Sequence, residues 1–228
     1  MLGLKENGYS VESVTESGNN VLISFGKGKE EKDPCEDAIE GLAETALHHR
    51  GNDGNGLTWI TWVFNCNRKS INKQTDWLTN SKRADPNDNN KDKSFHAEDA
   101  FNEQFDNLKV KYEADYEPVE RVDILIKFSP CHCFNSKHPK LKNTPVCTGV
   151  LANLKAQYPN VEFNVYYMVQ YDRGNWHSFE NCVKPSFKYL EDIGIKHDFF
   201  VKVLSTRSSL YSAISEYTSN IARFKFDY

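Results

Sequence analysis

The chain has 228 residues, of which 39% are hydrophobic and 26% charged, with a net charge of −4 and a pI near 6.0. That length supports one large core or at most two small ones. No apolar run approaches the roughly 18 residues of a membrane span, which excludes that class, and the acidic balance excludes binding to nucleic acid through overall charge. Any contact with a polyanion has to come from a local basic patch.

Taken in chain order, residues 8–26 alternate polar and apolar around "ESGNN" and predict a hairpin. "DPCEDAIEGLAETALHH" predicts a helix from about Asp33, with Pro34 first and Ile39, Leu42, Ala43, Ala46 and Leu47 as its apolar stripe. "LTWITWVFN" (57–65) reads as a strand, and a short strand is expected around Trp77. "RADPNDNNKDK" (83–93) is loop material. A helix over about 96–109 carries Ala97, Phe101, Phe105 and Leu108 on one face. A strand at 121–128, a helix at 148–158, a strand at 161–171, a helix at 184–194 ended by Gly194, a strand at 197–204 and a helix near 208–222 follow. The alternation predicts an α/β layer fold. Its expected division is an N-terminal hairpin extension (1–30) packed on one domain (31–228).

"SFHAEDAF" at 94–101 and "KFSPCHCF" at 127–134 point to chemistry. Cys147 precedes Val150 and Leu151 by three and four residues, so it shares their buried helix face. With Thr144 as N-cap and Pro145 as first residue, Cys147 falls in the first turn, where free N–H groups and the helix dipole favour a thiolate. Cys131 ends an apolar strand behind a proline, and His96 opens another helix. Two sulfurs and an imidazole, with one position open, form a catalytic zinc pattern. Cys133 is the alternative second sulfur, without a helical stripe behind it.

The pattern His96-Ala97-Glu98, Ser129-Pro130-Cys131 and Cys147 resembles the zinc-dependent cytidine deaminases, above all the AID/APOBEC family. The resemblance continues through "VYYMVQY" and "FKYLEDIGIKHDFFVKV" and covers about residues 34–222. This sequence departs from the family in three ways. Fifteen residues separate Cys131 from Cys147, so 132–146 reads as an insertion. The interval from His96 to Cys131 is long, and Phe128 stands where the family often has Trp. The resemblance implies a three-layer α/β/α cytidine deaminase-like fold, with a mixed five-stranded sheet and helices on both faces.

It also implies roles. Zn2+ is held by His96, Cys131 and Cys147, and Glu98 shuttles protons. Ala97 and Ser129 line the pocket through backbone groups, and Tyr167, Tyr171 and Trp176 stack on bases. Asn55 and Thr58 touch the target nucleotide. The plainer readings are an acid in a helical first turn for Glu98 and a core aromatic for Tyr167. Lys137, Lys140 and Lys142 in the insertion form either a phosphate-gripping flap or a solvated loop.

The activity implied is conversion of cytosine to uracil, with single-stranded DNA or RNA as substrate and partner and the chain acting as a monomer. The alternatives are deamination of a free nucleoside or nucleotide, and a catalytically silent zinc-stabilised nucleic-acid-binding protein. "MLGLKENGYS" lacks the apolar core of a signal peptide, as expected for a cytoplasmic or nuclear protein. A secreted chain would need a removed signal and pairing among Cys35, Cys66, Cys133 and Cys182, for which three pairings exist.

Overall fold

The computed structural model describes residues 9–17, 20–27, 33–48, 50, 58–71, 97–131, 147–170 and 184–223, the first two segments by backbone alone. The chain divides into two compact units, Met1–Asp33 and Pro34–Tyr228. The first holds the expected hairpin: β1 (Tyr9–Ser17) pairs antiparallel with β2 (Asn20–Lys27), with Ser17 opposite Asn20 and a register shift between Val11 and Ser13.

The second unit is α/β. A mixed sheet runs β3 (Ile60–Phe64), β4 (Arg121–Phe128), β5 (Glu162–Val169), β6 (Lys196–Phe199) in spatial order. β3 is antiparallel to β4, and β4, β5 and β6 are parallel. Such sheets are buried on both faces, and accordingly residues 122–127 of β4 are all buried, the charged Asp123 and Lys127 among them. The sheet has four strands among the described residues where five were expected; the segment near Trp77 lies outside them.

One face of the sheet packs α2 (Ala97–Asp115), α3 (Cys147–Gln157) and α4 (Lys184–Asp192) through Phe101, Phe105, Leu151, Leu154 and Leu190. The other packs α1 (Pro34–His48), the single-turn α5 (Phe200–Val203) and α6 (Tyr211–Arg223) through Leu42, Ala46, Phe200, Ile214 and Tyr217. The three layers are those expected. Among the described residues no helix is long and apolar enough to cross a membrane.

Two elements differ from expectation. α2 runs six residues past 109, because Tyr112 is buried and Lys109 pairs with Glu113 at 2.6 Å one turn later. The last strand stops at Phe199 instead of 204: the Asp198 carboxylate accepts the Phe199 N–H at 2.7 Å and pairs with Lys202, one helical turn on. Phe200 and Leu204, four residues apart, then enter the core on one face of a turn.

Candidate active site

In open α/β sheets ligands collect beyond the carboxyl ends of the parallel strands. That edge holds the Ser129-Pro130-Cys131 turn after β4, the start of α3 and the first turn of α2. The antiparallel β3 begins at the same edge, and the Lys127 N–H donates to the Trp59 carbonyl at 3.2 Å.

Cys131 and Cys147 are brought side by side, their sulfurs 3.3 Å apart. Cys131 is half-buried and Cys147 is buried. As expected, Cys147 stands in the first turn of a helix with Val150 and Leu151 on its buried face. Burial is the main influence, and it pushes the Cys147 thiol well above its ordinary range; Cys131 and the charge of Glu98 raise it further. A first-turn dipole contributes about 0.3–1 kcal/mol, too little to offset the burial of an anion beside a carboxylate.

Glu98 is 5% exposed in the first turn of α2, an unusual degree of burial for a carboxylate and one that the plainer reading of a solvated helix-start acid does not predict. Its electrostatic reach to Cys147 puts α2 and α3 at one locus. Two soft sulfur donors beside a buried carboxylate are a donor set suited to zinc. Among the described residues there is no group of three or more His, Cys, Asp and Glu set for a metal ion, and His96 lies outside them.

The other expected residues divide. Ala97 opens α2 and is fully buried in the core. Ser129 is buried, and its N–H is engaged by the Val169 carbonyl at 2.9 Å, so that group serves the sheet and does not face a ligand. Thr58 is half-buried just before β3. Tyr167 is 2% exposed, stacked on Phe187 at 5.3 Å and edge-on to Phe199 at 4.8 Å, with its hydroxyl 3.5 Å from His197 Nδ1. Burial pushes its phenol above the ordinary range. Tyr167 is thus a core aromatic, because side chains at this β5 position point under α4, and it has no free ring face for a base. Asn55, Tyr171, Trp176, Lys137, Lys140, Lys142, Cys133, Thr144 and Pro145 lie outside the described residues.

Of the four remaining cysteines, Cys35 at the start of α1 and Cys66 after β3 form a disulfide. Ser186 was missed by sequence reasoning. Its hydroxyl, fully buried, donates to the Pro130 carbonyl at 2.7 Å. The only sequence signal is a small polar residue one turn before Leu190 on the buried face of α4.

No family model matches the chain. No curated protein sequence matches it either. Among solved structures, it is similar to the crystal structure of Aspergillus oryzae Rib2 deaminase in complex with DARIPP, at 10% identity and a TM-score of 0.39, over 81% of this chain and 99% of that one.

Proposed function

We propose that this protein is a zinc-dependent hydrolytic deaminase of the AID/APOBEC type that converts cytosine to uracil in single-stranded DNA or RNA. The observation that carries the reading is the 3.3 Å approach of Cys131 and Cys147, sixteen residues apart in sequence, beside the buried Glu98. Those are the residues on which the motif resemblance rests, and the fold brings them together at the edge of the sheet where α/β enzymes bind ligands.

Cys131, Cys147 and His96 would hold the zinc, which supplies the Lewis acidity that makes water nucleophilic near neutral pH. Glu98 takes a proton from the attacking water as its oxygen bonds to C4 of the base. It passes protons to the ring nitrogen and to the leaving amino group. Cytosine and water become uracil and ammonia.

C4 is out of reach in a stacked duplex, so the substrate base must be unpaired. The segment 132–146 leaves the site at Cys131 and rejoins it at Cys147. Its lysines, 137, 140 and 142, with no acid among them, are the local positive charge that an acidic chain needs to hold a phosphate backbone. Trp176 and Tyr171, in the polar stretch that follows residue 170 in sequence, would supply base stacking worth about 1–3 kcal/mol per base.

The test is incubation with cytosine-containing single-stranded DNA, RNA and free cytidine, with uracil measured by mass. The expected result is turnover of a polynucleotide that is lost in Glu98→Ala, and one zinc per chain that is lost in Cys147→Ser but kept in Cys133→Ser. Preference for free cytidine would move the protein to the small-molecule deaminases. Equal zinc retention in both cysteine variants would refute the ligand choice.

A further inference from the structure

The three residues of the Ser-Pro-Cys turn are each held by a different element. The Ser129 N–H donates to the Val169 carbonyl of β5 at 2.9 Å. The Pro130 carbonyl accepts the Ser186 hydroxyl of α4 at 2.7 Å. The Cys131 carbonyl accepts the Thr148 N–H of α3 at 3.2 Å. The Pro130 carbonyl belongs to the planar peptide that also contains the Cys131 nitrogen. The Cys131 carbonyl belongs to the next peptide. Both planes flanking the Cys131 Cα are therefore pinned, which sets φ and ψ of that residue and the direction in which its Cα–Cβ bond leaves the chain.

Proline has no N–H, so its carbonyl is the only backbone group through which Pro130 can be held by hydrogen bonding. Ser186 and Pro130 are both buried, which leaves water no part in that bond. α4 is itself anchored one turn later by the fully buried Leu190, and it closes at Gly194 with a positive φ of 76°. The bonds to Val169 and Thr148 run backbone to backbone. The one from α4 is made by a side chain.

We infer that Ser186 is a positioning residue for Cys131, holding its sulfur in register with that of Cys147. The inference rests on the proposed function insofar as that pair binds metal. Groups that orient metal ligands from behind typically change metal affinity by about 10–100-fold when removed.

The experiment strips the folded protein with a chelator and titrates it with Zn2+ against a chromophoric competitor, then with Co2+ while following the thiolate charge-transfer band. Ser186→Ala is expected to lose about 10–100-fold in Zn2+ affinity and to shift or weaken the Co2+ band at saturation. Leu190→Val, which loosens the same helix without touching Pro130, is expected to lower Tm and leave affinity and band as in the parent chain. Wild-type affinity in Ser186→Ala, or an equal loss in Leu190→Val, overturns the inference. If Ser186→Ala does not fold, Ser186→Cys, similar in size with a much weaker donor, is read in its place with the same expectation.

A second arm needs no metal. In a glutathione buffer the Cys131 and Cys147 thiols are oxidised to one disulfide as one glutathione disulfide is reduced to two thiols. Alkylation and mass analysis give the effective concentration of one thiol at the other. Ser186→Ala is expected to lower it about tenfold or more, since misplacement of about an ångström has effects of that order; an unchanged value overturns the inference. If the parent chain takes up neither metal while this arm shows the fall, Ser186 still positions the sulfur, and it is the zinc reading that fails.

Discussion

The two ends of the central sheet are built differently. At the amino ends of the parallel strands, polar groups are tied to one another in a dense net. Asp123, 1% exposed, accepts a bidentate pair from Arg121 at 2.7 and 2.8 Å, Asn164 Nδ2 at 3.0 Å and the Tyr166 hydroxyl at 3.0 Å. Burial and that carboxylate push the Tyr166 phenol above its ordinary range. Asn65, in the left-handed region at φ 49°, accepts from the N–H groups of Glu120 and Arg121 at 2.9 Å each and donates to the Pro118 carbonyl at 2.7 Å. The neighbouring Cys66 is crosslinked to Cys35, and Arg68 bridges Asp37 and Glu44 of α1. The absence of a side chain at Gly41 lets the turn approach, since a Cβ there would stand 2.5 Å from Ile71 Cδ1.

At the carboxyl ends the chain instead gathers two thiols 3.3 Å apart and the carboxylate of Glu98, a group that is costly to bury. One end spends its polar groups on holding the sheet. The other is where the proposed chemistry sits, and a rigid far end would help hold it in position.

The sharpest way to separate the ends is Glu98→Ala. Activity is expected to fall about 10²–10⁴-fold, with the fold and zinc retained. A Tm loss as large as that of an Asp123 variant, with turnover intact, would make Glu98 a structural residue. Next in size, replacing Cys35 and Cys66 together by Ala removes a link spanning 31 residues. On the chain-entropy account that costs about 3–4 kcal/mol, read by urea unfolding, with zinc content unchanged. Asp123→Ala is expected to cost about 2–3 kcal/mol, because the donors of Asn164 and Tyr166 are left buried and unpaired. Metal affinity should again be unaffected; a fall in zinc uptake would show that the two ends are coupled.

The smallest effect is one of pH. Glu113 is held below its usual carboxylate range by Lys109 and then by the Val119 N–H, and Glu162 is held down by Lys196. A depressed folded-state pKa contributes stability above the unfolded value, near 4.5, that is lost as pH falls through the folded value. Tm should therefore drop below about pH 4.5, and Glu113→Gln should flatten that dependence. The parent profile retained in Glu113→Gln would assign the acid sensitivity elsewhere.

Much of the fold was legible because period and burial agree. β4 was readable over 121–128, since Val122, Ile124, Leu125, Ile126 and Phe128 make an apolar-rich stretch even with the charged Asp123 and Lys127 in it. Errors came where a local side chain overrides the period, as at Asp198, whose carboxylate ends β6 four residues in. Tyr167 was ambiguous because an aromatic near a strand end serves a core and a ligand equally well on paper. The packing of Phe187 and Phe199 decided it.

By itself the sequence determined the layer order, the helical face shared by Cys147, Val150 and Leu151, and the spacing that makes Glu98 and the two cysteines candidates for one site. The first two follow from periodicities of two and 3.6 residues, which are local properties; the third rests on the resemblance of the motif. Only the tertiary structure showed that the sulfurs of Cys131 and Cys147 approach to 3.3 Å, that Cys35 takes Cys66, that Glu98 is buried, and that a serine far along the chain holds the carbonyl before Cys131. Each of those depends on the separation of residues far apart in sequence, which is set by the packing of α1, α2, α3 and α4 against the sheet and leaves no periodic trace in the chain.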